Sequence, residues 1–219
     1  REMITIIDDF LDDDHYEALG NTSMVFSKVH WVGRQAEPEN AFHKFVHKIF
    51  KSFWPEGDNS ISGATSWWNI RPINPKPHSD IVSYCSAGGI DYTPKCPPEK
   101  TFVYYLRAPE KGGQLNIYTK PPITNMKIGN KEFFSWADYE TDSIAPIVNR
   151  LISFPMDVTH AVQSYEGNRV SLGAIFWNTL PTIYGETNPH INTSYDRPWE
   201  QKENIESGRK LTEESFLKT

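Results

Sequence analysis

From Ser62 to Asn178 the chain is a series of short runs rich in Trp, Tyr, Phe, Val and Ile, each closed by Pro, Gly or Asn, and this punctuation constrains the fold more than any other feature. Aromatic and β-branched side chains suit a pleated, half-buried strand, whereas proline and glycine interrupt one. The runs fall at 65–73, 81–85, 101–107, 114–118, 151–154, 161–163 and 169–178. Two helical stretches precede them. In the segment 38–54, Ala41, Phe42, Phe45, Val46, Ile49, Phe50 and Phe53 recur at helical spacing and predict one amphipathic face packed on a sheet. Upstream, 4–10 reads as a short strand running into the capping cluster Asp12-Asp13-Asp14, after which 15–19 begins a helix. The order predicts a mainly β (α+β) chain: a two-sheet antiparallel barrel of jelly-roll type with flanking N-terminal helices.

At 219 residues, 38% hydrophobic, the chain has material for one good core and is expected to form a single domain. The core is expected over 62–180, helical support over 1–61 and a polar tail over 181–219, where 199–217 could include a helix. Two connections, 85–100 and 120–149, exceed hairpin length and are candidate lids or substrate loops. A formal net charge of −6 provides no broad basic surface, so nucleic acid is not an expected partner. No run of about twenty apolar residues exists. The opening Met3-Ile-Thr-Ile-Ile with Asp8-Asp-Phe lacks the order of a signal peptide, so a soluble, cytoplasmic protein away from membranes is expected. Cys85 and Cys96 are too few for a disulfide scaffold and read as reduced thiols, with a redox or lid-stapling role as the alternative.

The chemistry concentrates in four residues. His78-Ser79-Asp80 sets an imidazole and a carboxylate at i and i+2, which on an extended strand share a face. Alone, such a triplet is commonly a solvated strand end. His160, at the start of another predicted strand, supplies a third ligand of the right type, and two histidines with one carboxylate on one face of an octahedron are the donor set of non-haem iron(II) oxygenases. Nine residues on, beyond the turn Glu166-Gly167-Asn168, stands Arg169, whose planar fork suits a buried carboxylate. A structural ion pair is the alternative for Arg169 taken by itself.

The order His-x-Asp, His, Arg resembles the 2-oxoglutarate/iron(II) dioxygenase superfamily, and neighbouring segments resemble its prolyl 4-hydroxylase-like branch. Thr101-Phe-Val-Tyr-Tyr-Leu-Arg with Gly112-Gly113-Gln114-Leu115 is similar to that branch's Tyr-Tyr-Leu-Asn and Gly-Gly-x-Leu strand pair. Ile144-Ala-Pro-Ile-Val-Asn-Arg-Leu-Ile-Ser-Phe resembles its Pro-x-x-x-Arg-Leu-x-x-Phe strand, and His160-Ala-Val-Gln with Arg169 resembles its His-x-Val spacing. Residues 4–11 resemble its Ile-x-Asp-x-Phe-Leu opening strand.

The resemblance implies a double-stranded β-helix (jelly roll, cupin-like) in which His78, Asp80 and His160 hold Fe(II) and Arg169 holds the distal carboxylate of 2-oxoglutarate. It implies that Tyr105 hydrogen-bonds that carboxylate and that Leu115 packs on the co-substrate chain, an ordinary inward strand residue being the alternative. Trp68 stands where the branch has a tyrosine wall, without the hydroxyl. Ser171, two residues after Arg169, shares its strand face and is either a second carboxylate donor or a small core hydroxyl. With O2 as oxidant and ascorbate in support, the implied reaction is hydroxylation with release of succinate and CO2. Because Asp80 is a carboxylate, hydroxylation is expected over halogenation. Trp67, Arg71 and the loop aromatics Tyr92, Phe133, Phe134, Trp136 and Tyr139 are expected to frame the mouth or to close a secondary core. The implied substrate is a peptidyl, prolyl-type side chain, with an amino acid or other small molecule as the alternative. A cupin-like enzyme without 2-oxoglutarate and a metal-free jelly-roll binding module are the competing classes.

Overall fold

The computed structural model describes residues 4–24, 28–70, 77, 98–120, 126–128, 131–133, 140–177 and 189–196. In chain order the elements are β1 (Thr5–Ile7), α1 (Asp13–Gly20), β2 (Lys28–Gly33), α2 (Ala41–Phe53), β3 (Gly63–Asn69), β4 (Pro98–Arg107), β5 (Lys111–Gly112), β6 (Leu115–Lys120), β7 (Met126–Ile128), β8 (Lys131–Phe133), β9 (Glu140–Ile144), β10 (Leu151–Pro155), β11 (His160–Val162), β12 (Tyr165–Glu166), β13 (Val170–Trp177) and β14 (Asn192–Asp196). A seven-stranded sheet has the order β1-β10-β4-β13-β3-β2-β14, and a three-stranded sheet the order β11-β6-β9, every pairing antiparallel. Two ribbons, β12-β5 and β7-β8, complete the described β-structure.

Strand alternation gives the large sheet two different faces. On β4, Phe102, Tyr104 and Leu106 turn to the helix side and join Leu19 of α1 and Phe42, Phe45, Ile49 and Phe50 of α2. Trp54, stacked on Phe176 at 4.9 Å, closes this core. Each helix begins on a side-chain cap: Asp12 Oδ1 accepts from His15 N at 3.0 Å, and Asn40 Oδ1 from His43 N at 2.9 Å. On the other face, Tyr105, Ile152 and Phe154 of the large sheet meet Leu115, Ile117 and Ile144 of the small one, so the second core lies between the two sheets.

The expected helices are present, the second at Ala41–Phe53. Several expectations need correction. The stretch 120–149 is not one long loop, because Glu140–Ile144 pairs with β6 and the ribbon β7-β8 lies within it. The polar tail supplies β14, an edge strand held on β2. Lys28–Gly33, unassigned in the sequence, is a strand of the large sheet. The strand expected over 65–73 spans Gly63–Asn69 among the described residues. The strand expected at 81–85, the loop up to residue 97, both cysteines and the expected helix at 199–217 lie outside the described residues. Among the described residues no helix is long and apolar enough to cross a membrane.

Candidate active site

The site grows from a local irregularity in β4. Val170 pairs with Arg107, but Ser171 pairs with Tyr105, so Leu106 is skipped and a bulge falls between them. A bulge re-aims the side chains beside it, and here it stands between Tyr105 and the end of β4. The skipped residue is secured from α1, whose Tyr16 hydroxyl donates to Leu106 O at 2.8 Å. Tyr105 itself is pinned through both main-chain groups: its amide donates to Arg150 O at 3.0 Å and its carbonyl accepts from Asn149 N at 2.8 Å. Asn149 has φ +61°, and its side-chain amide accepts from Leu11 N and the Tyr104 hydroxyl, both at 2.9 Å, and donates to Leu11 O at 2.7 Å. Asparagine tolerates the left-handed region and satisfies these partners at once.

Arg169 lies just before β13 and is 5% exposed. Its guanidinium carbon is 5.1 Å from the Tyr105 ring centroid and 5.6 Å from that of Tyr165. Among the described residues, three buried polar atoms here have no hydrogen-bond partner: Arg169 Nε, the Tyr105 hydroxyl and Ser171 Oγ. Burial raises the Tyr105 phenol pKa above its ordinary value of 10.0, with the neighbouring Arg169 opposing that shift. The phenol therefore keeps its proton at neutral pH and remains a donor. A buried polar group left unpaired costs about 1–3 kcal/mol, and native interiors hold few of them. A cation and two hydroxyl donors, clustered and unsatisfied, match the acceptor capacity of one carboxylate.

Leu115 and Ile117 of β6 share the apolar cluster with Tyr105, and Ile117 pairs in register with His160 of β11. His160 is buried, its ring 4.8 Å from that of Phe154 in the same cluster. His160 Nδ1 lies 3.1 Å from Val158 O. A carbonyl only accepts, so this contact calls for the proton on Nδ1, and in the neutral ring that leaves the lone pair on Nε2, the tautomer in which a histidine binds a metal through Nε2.

Of the residues expected at the site, Tyr105, Leu115, His160, Arg169 and Ser171 are thus gathered around one apolar cluster. Trp68 is not with them. It is 1% exposed on the helix side of β3, 5.8 Å from Phe42, and the expectation that it walls a co-substrate is corrected by strand alternation. Its neighbour Trp67 faces the site side, pairing with Gly173, where an added Cβ would stand 2.6 Å from the indole. His78, Asp80, Arg71, Tyr92, Phe134, Trp136 and Tyr139 lie outside the described residues, as does the side chain of Phe133. Among the described residues no three His, Cys, Asp or Glu side chains group to hold a metal ion. Sequence reasoning missed Tyr165 and Ile117; the only signal was Tyr165's position in the turn before Arg169.

No protein-family model matches the chain, and no curated protein matches it. Solved structures that resemble it include three prolyl hydroxylases. A prolyl-4-hydroxylase from Pseudomonas putida is 15% identical, with 79% of this chain and 91% of that one covered and a TM-score of 0.49. A viral collagen prolyl hydroxylase from Paramecium bursaria Chlorella virus-1, in its 2OG complex, is 16% identical over 80% of this chain and 96% of that one, with a TM-score of 0.48. A prolyl hydroxylase from Trichoplax adhaerens, in complex with a peptide fragment of the hypoxia inducible factor oxygen degradation domain, is 16% identical over 80% and 83%, also with a TM-score of 0.48. These likenesses are too distant to bear on what the site does.

Proposed function

We propose that the chain is an Fe(II)- and 2-oxoglutarate-dependent oxygenase that hydroxylates an unactivated C–H bond, first of all on a peptidyl, prolyl-type side chain. The observation that carries this reading is the trio of unsatisfied buried donors, Arg169 Nε, the Tyr105 hydroxyl and Ser171 Oγ, beside an apolar cluster. The sequence order His78, Asp80, His160 and Arg169 supports it, as does the Nδ1–H tautomer of His160. The residues fit the groups they would hold. Arg169 would bind the distal carboxylate of 2-oxoglutarate, with Tyr105 and Ser171 donating to it. Leu115 and Ile117 would cover the co-substrate chain and exclude water. His160, with His78 and Asp80, would bind Fe(II).

When bound, iron and 2-oxoglutarate supply O2 activation coupled to oxidative decarboxylation, so one oxygen enters substrate while succinate and CO2 leave. The chain's own part is placement: a protonated Tyr105, a buried fixed cation at Arg169 and a His160 ring oriented by Val158 O. As a metal ligand, the Asp80 carboxylate would take the position that a halide needs, so hydroxylation is the expected outcome even in chloride.

The test is incubation of the full chain with Fe(II), ascorbate, O2 and 2-oxoglutarate, with and without proline-containing peptides, followed by assay of succinate and peptide mass. Peptide-stimulated succinate release with a gain of one oxygen on proline is expected. Succinate without peptide modification would move the substrate to an amino acid or another small molecule. No succinate under any condition would overturn the reading.

A further inference from the structure

Tyr165 is unused by the reaction as described, yet it lies against the buried Arg169 cation. Its ring centroid is 5.6 Å from the Arg169 guanidinium carbon, beside the 5.1 Å contact with Tyr105. The ribbon that carries it is built for close approach. Tyr165 pairs with Gly112, whose φ is +75°, and a Cβ there would stand 2.2 Å from Ser164 O. Gly113, also at φ +75°, leaves space that a Cβ would fill, 2.8 Å from Pro109 Cγ, 3.3 Å from Tyr165 Cβ and 3.4 Å from Arg169 Cδ. Two successive glycines thus let Tyr165 and the Arg169 stem pack against the same stretch of backbone, which explains the Gly112-Gly113 pair as a packing requirement rather than a flexible turn.

A guanidinium that is 5% exposed and lacks a partner at Nε needs both stabilisation and direction. Aromatic faces supply the first through the ring quadrupole, worth more when water is excluded, and supply the second by limiting how the planar fork can rotate. Resting on the proposed 2-oxoglutarate reading, we infer that Tyr165 is a positioning residue: with Tyr105 it holds the Arg169 guanidinium in the orientation that receives the distal carboxylate, and the Gly112-Gly113 ribbon exists to bring it there. The ring face carries most of this effect, beside the hydrogen bond between the Tyr165 hydroxyl and Arg169.

The test uses the full chain with Fe(II) under anaerobic conditions and reads binding by calorimetry rather than turnover. Two ligands are compared: 2-oxoglutarate, and pyruvate, which has the 2-oxo acid end but no distal carboxylate. Tyr165→Leu is expected to weaken 2-oxoglutarate binding by about tenfold and to leave pyruvate binding unchanged. Tyr165→Phe is expected to restore 2-oxoglutarate binding to within about twofold. Equal 2-oxoglutarate affinity in Tyr165→Leu and the unmodified chain overturns the positioning role alone. Equal losses for both ligands, or a Tyr165→Phe chain as weak as Tyr165→Leu, overturn it too. An unmodified chain that binds no 2-oxoglutarate removes this inference together with the reading it rests on.

Discussion

At the residue scale the account turns on unsatisfied donors. Tyr105 and Ser171 stand opposite one another across a β4–β13 pair displaced by a bulge, and Arg169 lies against the Tyr105 ring. Tyr105→Phe removes one hydrogen bond to a charged acceptor and keeps the ring, so 2-oxoglutarate affinity should fall about tenfold. Arg169→Gln removes the charge and the fork, and the loss should reach about a hundredfold or more. Both are read by titration calorimetry in the presence of Fe(II). Unchanged affinity in either variant would mean the donors serve the fold alone. The sequence singled out Arg169 through the turn Glu166-Gly167-Asn168, and Gly167 has φ +89°, but the strand after the turn pairs with β4 and β3 in the large sheet whereas His160 lies in the small one. The position of Trp68 was not legible in the same way. Whether Trp67 or Trp68 faces inward depends on the register of β3, and one residue of slip exchanges the two faces.

At the element scale, the helical support rests on caps and on one turn. Asn40→Ala should lower stability by about 1 kcal/mol, and Asn40→Asp should be close to neutral. Asn149→Ala removes three side-chain hydrogen bonds and leaves a β-carbon at φ +61°, so it should cost roughly 2–4 kcal/mol in urea unfolding and more than Asn149→Asp. Alanine keeps the main-chain amide that donates to Tyr105 O but loses the side-chain bonds that hold the turn in place, so the Asn149→Ala chain should lose 2-oxoglutarate affinity through displacement of that turn. Acid should act on two other anchors. The Asp12 carboxyl is drawn down to about 2 by the His15 amide and imidazole, and the Arg150 guanidinium holds Asp8 below its ordinary 3.8. Carboxyls depressed in the folded chain contribute stability that is present above the unfolded value and lost as pH falls through the folded one. Burial also lowers the pKa of His43 and His47 below their ordinary 6.5, so the unfolding midpoint should begin to fall below about pH 6.5 and fall further between about pH 4 and 2, the second fall being shallower in Asp8→Asn/Asp12→Asn. The first helix was readable from its capping cluster and the second from its periodicity. β2 was not assigned, and neither was β9, whose Glu140-Thr-Asp-Ser-Ile is a polar edge strand with a single buried side chain.

At the scale of the whole molecule, one sheet presents a helix-covered face and a second face that meets the small sheet, and the donors sit on the second. The two-sheet antiparallel arrangement was legible because each run is short, β-rich and ended by Pro, Gly or Asn. The place of β14 was not, because an edge strand taken from a polar tail carries no apolar signature, and its register on β2 is set by pairing far along the chain. A crystal structure of the full chain grown anaerobically with Fe(II) and 2-oxoglutarate tests most directly whether His78 and Asp80 join the donors of that second face around one metal. The account predicts one iron bound by His78, Asp80 and His160 Nε2, and a 2-oxoglutarate whose distal carboxylate contacts Arg169, the Tyr105 hydroxyl and Ser171. Iron bound without His160, or a 2-oxoglutarate that leaves those three donors unpaired, would contradict it.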